Sequence, residues 1–141
     1  MTAIENQTSL VTAALVADDD RLEFLPRYFG ECLMMQGESI VYSFMNRLSV
    51  DYNGGFWNFY TLSNGGFFMA PDHEKSMRVF VDGNGFDGNM SADAAGIVAN
   101  LFALSYLTTK TENDRIIDLY YLLREFALDH PESGMILRAI D

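Results

Sequence analysis

Three Asn-Gly steps, at Asn53-Gly54, Asn64-Gly65 and Asn84-Gly85, divide the middle of this chain into short aromatic and aliphatic runs. Asn-Gly favours backbone with positive φ, so each step turns the chain sharply. The runs between them are "FWNFYTLS", "GFFMAP" and "MRVFVDG", rich in the aromatic and β-branched residues that strands favour. Asn64-Gly65 reads as a two-residue type I′ hairpin turn, in which both central residues take positive φ. Pro71 ends the second run, since proline cannot donate to a ladder. Short consecutive strands joined by tight turns make an antiparallel meander, because a parallel sheet would need long crossovers.

Helical signals surround this centre. "DDDRLEFLPRYFG" predicts a short helix with one of Asp18–Asp20 as its N-cap, closed by Pro26 and Gly30. Val41, Phe44, Met45, Leu48 and Tyr52 recur at helical spacing, from a cap at Ser39 to a glycine stop at Asn53-Gly54-Gly55. Ser91 caps "SADAAGIVANLFALSYLTT", which is apolar nearly all round and therefore central. From Thr111 to Asp129 a further helix gathers Ile116, Leu119, Tyr120, Leu123, Phe126 and Ala127 on one side. Asp114, Asp118, Glu125 and Asp129 fall on the other. Beyond Pro131 a last short helix carries Met135, Ile136 and Ile140. The expected fold is α+β: a small three-stranded antiparallel meander packed against about four to five helices. It forms a single compact domain over residues 16–141, behind a loosely ordered leader at 1–15. Trp57, Phe59 or Tyr60, and the Ile97–Phe102 segment are expected to share one core.

The chemistry legible in the sequence is mostly chemistry that is missing. The formal charge is −11, from 20 acidic and 9 basic residues, which argues against binding nucleic acid through its phosphates. Cys32 is the one cysteine, so neither an intrachain disulfide nor a cysteine zinc cluster can form, and a reducing compartment fits. No basic n-region opens the chain and no apolar run reaches the length of a membrane span, so a cytoplasmic protein without membrane contact is expected. The glycine turns match neither a phosphate loop nor a dinucleotide fingerprint. "DGNGFDGNMSAD" puts Asp82, Asn84 and Asp93 at calcium-loop positions one, three and twelve. It then puts Phe86 and Asp87 where an oxygen ligand and a glycine are needed, so a tight loop is the better reading. Neither His73 nor His130 stands at a recognisable motif spacing from a Ser or Cys. No catalytic, cofactor or metal-binding residue is assigned.

What remains is a contact surface. Asp114 with Asp118, and Glu125 with Asp129, are like-charge pairs at i,i+4, with Tyr121 and Leu128 as unusually apolar neighbours on the exposed side. Asp18, Asp19 and Asp20 form a second acidic cluster. Solvation and helix capping account for both; a basic partner protein would use them.

Four segments, "DDDRLEFLPRYFG", "DYNGGFWNFYTLSNGGFFMAP", "NGFDGNMSADAAGIVANLFALS" and "YYLLREFALDHPES…ILRAID", resemble in order the ArdB/KlcA antirestriction proteins of plasmids and mobile elements. The most specific is Trp57-Asn58-Phe59-Tyr60 ahead of Ser63-Asn64-Gly65-Gly66. The resemblance implies a protein of a mobile element or prophage that relieves type I restriction–modification of unmodified incoming DNA. It supplies no catalytic residue, so a non-enzymatic protein is expected, contacting the restriction enzyme or a host factor acting on it. Two other readings stand beside it: an acidic DNA mimic, and an unrecognised small hydrolase or modifying enzyme using His73, His130 or a carboxylate pair.

Overall fold

The computed structural model describes residues 10–141. In chain order the elements are β1 (Ala13–Leu15), α1 (Arg21–Phe29), α2 (Met34–Leu48), β2 (Trp57–Leu62), β3 (Phe67–Pro71), β4 (Met77–Val81), β5 (Phe86–Met90), α3 (Ala92–Thr111), α4 (Asp114–Asp129) and α5 (Ser133–Ile140). The α+β class is as expected, with helices packed on antiparallel strands. The strands, however, divide into two sheets, β1-β2-β3 and β4-β5.

That division corrects the single meander. The third strand of the first sheet is β1, which pairs Ala13 with Leu62 and Leu15 with Tyr60. Part of the expected leader is thus sheet, while residues 1–9 of it lie outside the described residues. "MRVFV" becomes β4 but turns away from β3 and pairs with β5, from Met77↔Met90 to Val81↔Phe86. The physical reason lies in α3. Asn100, fully buried, accepts from the Met69 N–H at 3.3 Å and donates to the Met69 carbonyl at 2.7 Å. A helix side chain thereby occupies backbone groups of β3 that a fourth strand would have used.

The close seat of α3 on β3 depends on small residues. All five residues of β3 are buried, and Gly96 faces Ala70. Along α3, Ala94, Ala95, Ile97, Val98, Leu101 and Leu104 are buried, which agrees with a helix that is apolar nearly all round. Trp57, Phe59, Ile97 and Leu101 belong to one core, as expected. Phe24 stacks on Phe59 at 4.4 Å and Tyr28 on Phe67 at 4.6 Å, which fastens α1 to the sheet.

Several boundaries move for local reasons. Ser39 lies inside α2, whose N-cap position is Leu33. The helix ends at Ser49, which is extended at φ −136° and ψ 125°, so Gly54 and Gly55 are not its stop. Ser49 instead closes the turn by accepting from the Asp51 N–H at 3.2 Å, and Tyr52 leaves the helix to accept from Trp57 Nε1 at 3.1 Å. At the β2–β3 hairpin only Gly65 has positive φ, at 96°, so the turn is not type I′. Gly65 N–H donates to Leu62 and Leu62 N–H to Gly66, a three-residue loop with one left-handed position. Ser91 caps α3 as expected, accepting from the Ala94 N–H at 3.1 Å. The next helix starts at Asp114 and not Thr111, capped by Asn113, which accepts from the Arg115 N–H at 2.9 Å.

Candidate functional site

Helix α4 buries Ile116, Leu119, Leu123 and Ala127 and presents Asp114, Asp118, Tyr121, Glu125, Leu128 and Asp129 to solvent. Tyr121 is 63% exposed, a large area for an aromatic side chain that has no core to enter. The carboxylates run the length of a sixteen-residue helix, about 24 Å at 1.5 Å per residue. One of them already has a structural partner. Asn64 Nδ2 donates to Glu125 at 2.8 Å and to the Leu122 carbonyl at 2.9 Å, so the hairpin turn is fastened to the outer side of α4.

Asp18–Asp20 form a single 3-10 turn leading into α1, exposed and without a side-chain cap bond. Asp20 stands at the N-cap position but does not cap. With Glu23, Arg27, Leu15 and Thr61 it lines an open cleft of about 670 Å³ between β1 and α1. The two acidic clusters therefore stand on separate elements.

A polar cleft that sequence reasoning missed lies at the start of α3. Asn58, Asp72, His73, Ser91, Asp93 and Glu132 line about 510 Å³ there. Burial raises the Asp93 carboxyl above its ordinary value, opposed by the hydrogen bond from Tyr60 at 3.3 Å and by His130. The arrangement is satisfied internally. Ser91 Oγ donates to Glu132 at 2.5 Å while accepting from Ala94, so it caps α3 and bridges it to the turn before α5. His73 Nδ1 bonds the Lys75 carbonyl at 2.8 Å, and His130 Nδ1 accepts from the Glu132 N–H at 3.0 Å. Each imidazole is tied to its own turn. The signal that could have located this cleft is the i,i+2 relation of His130 to Glu132 after a helix end. Among the described residues no three His, Cys, Asp or Glu side chains are placed to share a metal ion, and no helix is long and apolar enough to cross a membrane.

Together these features define a small acidic α+β protein whose polar cleft beside Ser91 and Glu132 is held by hydrogen bonds within the fold and whose acidic residues on α4 and at Asp18–Asp20 face solvent. Residues 50–141 match the family model described as antirestriction protein. The chain is 53% identical over 142 residues to antirestriction protein KlcA of Escherichia coli, covering 98% of this chain and all of the relative. It is 45% identical over 136 residues to the protein YafX of Escherichia coli K12, covering 93% of this chain and 88% of that one. A solved structure from work on the KlcA and ArdB proteins superposes with a TM-score of 0.88 at 53% identity, covering 96% of this chain and 99% of that one. That work describes a novel fold, with antirestriction activity against type I DNA restriction systems in vivo but not in vitro. This chain belongs to the antirestriction protein family.

Proposed function

We propose that this protein relieves restriction of unmodified incoming DNA by type I restriction–modification systems, and does so by protein contact and not by catalysis. The observation that carries the reading is the near-full-length match, in sequence and in fold, to proteins with that activity in vivo. Their lack of activity in vitro favours a mechanism that needs something present in the cell, such as a host factor acting on the restriction enzyme. Its place of action is the cytoplasm, where restriction occurs, and its natural setting is a plasmid or prophage whose DNA would otherwise be cut. The α4 face, with Tyr121 and Leu128 among Asp114, Asp118, Glu125 and Asp129, supplies a surface for a basic partner.

Charge density weighs against the acidic DNA mimic. Duplex DNA carries about one charge per 1.7 Å, or about 14 along the length of α4. The helix offers four carboxylates over that span, interrupted by Arg115 and Arg124. The hydrolase reading is opposed by the hydrogen bonds that tie His73 and His130 to their own turns. Alanine substitution of both histidines is expected to leave protection intact.

The direct test is the plating efficiency of unmodified phage on cells with a type I system, with and without the protein, with methylation of surviving phage DNA read in parallel. Higher plating without a matching rise in methylation supports blocked cleavage. Unchanged plating across several type I families, with soluble protein present, overturns the reading.

A further inference from the structure

The three Asn-Gly steps that turn the chain are chemically unequal. In an Asn-Gly step the main-chain nitrogen of the glycine can attack the side-chain amide carbon of the asparagine, because no Cβ crowds the approach and the glycine backbone swings freely. In a folded protein the attack needs two groups at liberty. The glycine N–H must be able to give up its proton, and the asparagine amide must be able to turn towards it.

At Asn64-Gly65 both groups are engaged. Gly65 N–H donates to the Leu62 carbonyl at 3.0 Å. Asn64 Nδ2 donates to the Leu122 carbonyl and to Glu125, while its Oδ1 accepts from the Gly66 N–H at 3.0 Å. Asn84-Gly85 is tied in the same manner. Gly85 N–H donates to the Val81 carbonyl at 2.9 Å. Asn84 Nδ2 donates to the Ala139 carbonyl at 3.0 Å, and its Oδ1 accepts from the Phe86 N–H at 2.9 Å. Each of these amides is held by a helix distant in sequence, α4 or α5, so reaching the attacking geometry would break several hydrogen bonds at once.

Asn53-Gly54 lies in the loop from α2 to β2 and differs at every point. The loop is anchored at its two ends, where Tyr52 N–H donates to the Ser49 carbonyl and the Phe56 carbonyl accepts from the Asp72 N–H. Between those anchors, residues 53–55 make no backbone hydrogen bond with any described residue, and the Asn53 side chain makes none either. Asn53, Gly54 and Gly55 are all exposed. A Cβ placed on Gly54 or Gly55 would meet nothing within 4 Å, so the peptide planes have room to turn.

We propose that Asn53 is a site of spontaneous modification, deamidated through a cyclic imide with Gly54, while the fold protects Asn64 and Asn84 from the same reaction. The Gly54 nitrogen loses its proton and bonds to Asn53 Cγ. The Cγ–Nδ2 bond breaks, and ammonia leaves with that proton. Water then opens the ring. Addition at Cγ gives aspartate. Addition at the main-chain carbonyl gives isoaspartate, in which the chain runs through the former side chain and is one methylene longer. Either product leaves a new carboxylate between the exposed side chains of Val50 and Phe56, on a chain already at −11. Isoaspartate also lengthens the span between Tyr52 and Trp57, whose hydroxyl and Nε1 are joined at 3.1 Å. The inference goes beyond the proposed function and does not rest on it.

The test is ageing of the intact, folded protein in heavy-oxygen water at mildly alkaline pH, followed by peptide mass mapping. A parallel sample unfolded in guanidinium chloride gives the rate of each step without the fold. In the folded protein Asn53 is expected to convert to aspartate and isoaspartate, each carrying heavy oxygen, at least about tenfold faster than Asn64 or Asn84. That ratio is a barrier difference of about 1.4 kcal/mol. In guanidinium the three steps should convert at similar rates, which assigns the difference to the fold. Comparable conversion of all three sites in the folded protein overturns the inference. So does an Asn53 that stays intact in the folded protein while the unfolded chain converts. A second readout is labelling by an isoaspartyl methyltransferase, compared between aged parent and aged Asn53→Gln, whose longer side chain closes the ring poorly. Label should enter the peptide containing residue 53 in the parent alone, and equal labelling of the two peptides would also overturn the inference.

Discussion

Gly96 of α3 and Ala70 of β3 approach so closely that a Cβ built on Gly96 would stand 2.5 Å from the Ala70 Cβ and 2.7 Å from the Met69 carbonyl oxygen. Neither atom belongs to a flexible side chain, so an added methyl would have to push the helix off the strand. Gly96→Ala should therefore destabilise the protein despite alanine's better helix propensity. That propensity offers about 1 kcal/mol, against about 1–3 kcal/mol for overpacking a filled core. Urea denaturation should give a lower midpoint for the variant with an unchanged slope. A midpoint at or above that of the parent would mean the helix can shift at little cost.

Four residues along α3, Asn100 holds Met69 from the same side. Asn100→Leu is close in volume but leaves the Met69 N–H and carbonyl without partners in a dry interior. Each orphaned group costs about 1–3 kcal/mol, so the loss should exceed that of Gly96→Ala. Asn100→Asp is the sharper variant, because a carboxylate can accept from Met69 N–H but cannot donate to its carbonyl. Amide hydrogen exchange at Met69 should accelerate in Asn100→Leu and less so in Asn100→Asp; equal protection in all three proteins would refute the bond.

This pair also marks the limit of what the sequence discloses. Local chemistry was legible: Ser91 as the α3 cap, the buried side of α4 from Ile116 to Ala127, and Trp57 in the core all follow from spacing and residue type. Pairing partners were not. That β4 leaves β3 depends on Asn100 lying thirty-one positions beyond Met69, and no local pattern encodes such a contact. β5 was hidden because Phe86-Asp87-Gly88-Asn89 has turn composition, with strand character only once Arg78 pairs with Asp87 across the ladder. The acidic α4 face was legible as a stripe, while the polar cleft lined by Asn58, Asp93 and Glu132 needed several elements assembled in space.

Gly65 separates backbone strain from steric filling. Its φ is 96°, and a Cβ added there meets nothing within 4 Å. Any loss on substitution therefore comes from the dihedral alone. Gly65→Val should lose about 1–2 kcal/mol or more, whereas Gly65→Asn, which tolerates left-handed backbone, should lose less. Melting temperatures in the order Gly, Asn, Val are expected. A fully stable Gly65→Val protein lacking antirestriction activity would show instead that the turn serves a ligand.

Alkaline stability should report on Tyr60. Burial, then the charge and hydrogen bond of Asp93, push its hydroxyl up from the ordinary 10.0 to about 12. The folded state keeps a proton that the unfolded chain releases. The stabilisation is therefore complete below about pH 10 and is lost as pH rises towards 12. Burial raises Tyr42 in the same direction, so both contribute to the decline. Tyr60→Phe retains the ring and removes one titration, and its melting temperature should fall less steeply from pH 9 to 11.5. Identical slopes in the two proteins would remove Tyr60 from this account.

The α4 face can be tested with stability and function moving in opposite directions. Asp114 and Asp118, and Glu125 and Asp129, repel at i,i+4. Converting them to Asn and Gln should therefore leave the helix as stable or more so, by about 0.2–0.5 kcal/mol per pair. Glu125→Gln retains an oxygen for the Asn64 amide, which keeps the hairpin turn fastened. If the face meets a basic partner, protection of unmodified phage should nevertheless fall by about tenfold or more, equivalent to about 1.4 kcal/mol of lost contact. Tyr121→Ser, made alone, divides the two remaining possibilities. A protein interface loses an aromatic anchor and should lose protection as well, whereas a charge mimic of DNA should not respond to a neutral change. Full protection by both the neutralised protein and Tyr121→Ser would move the functional surface away from α4 altogether.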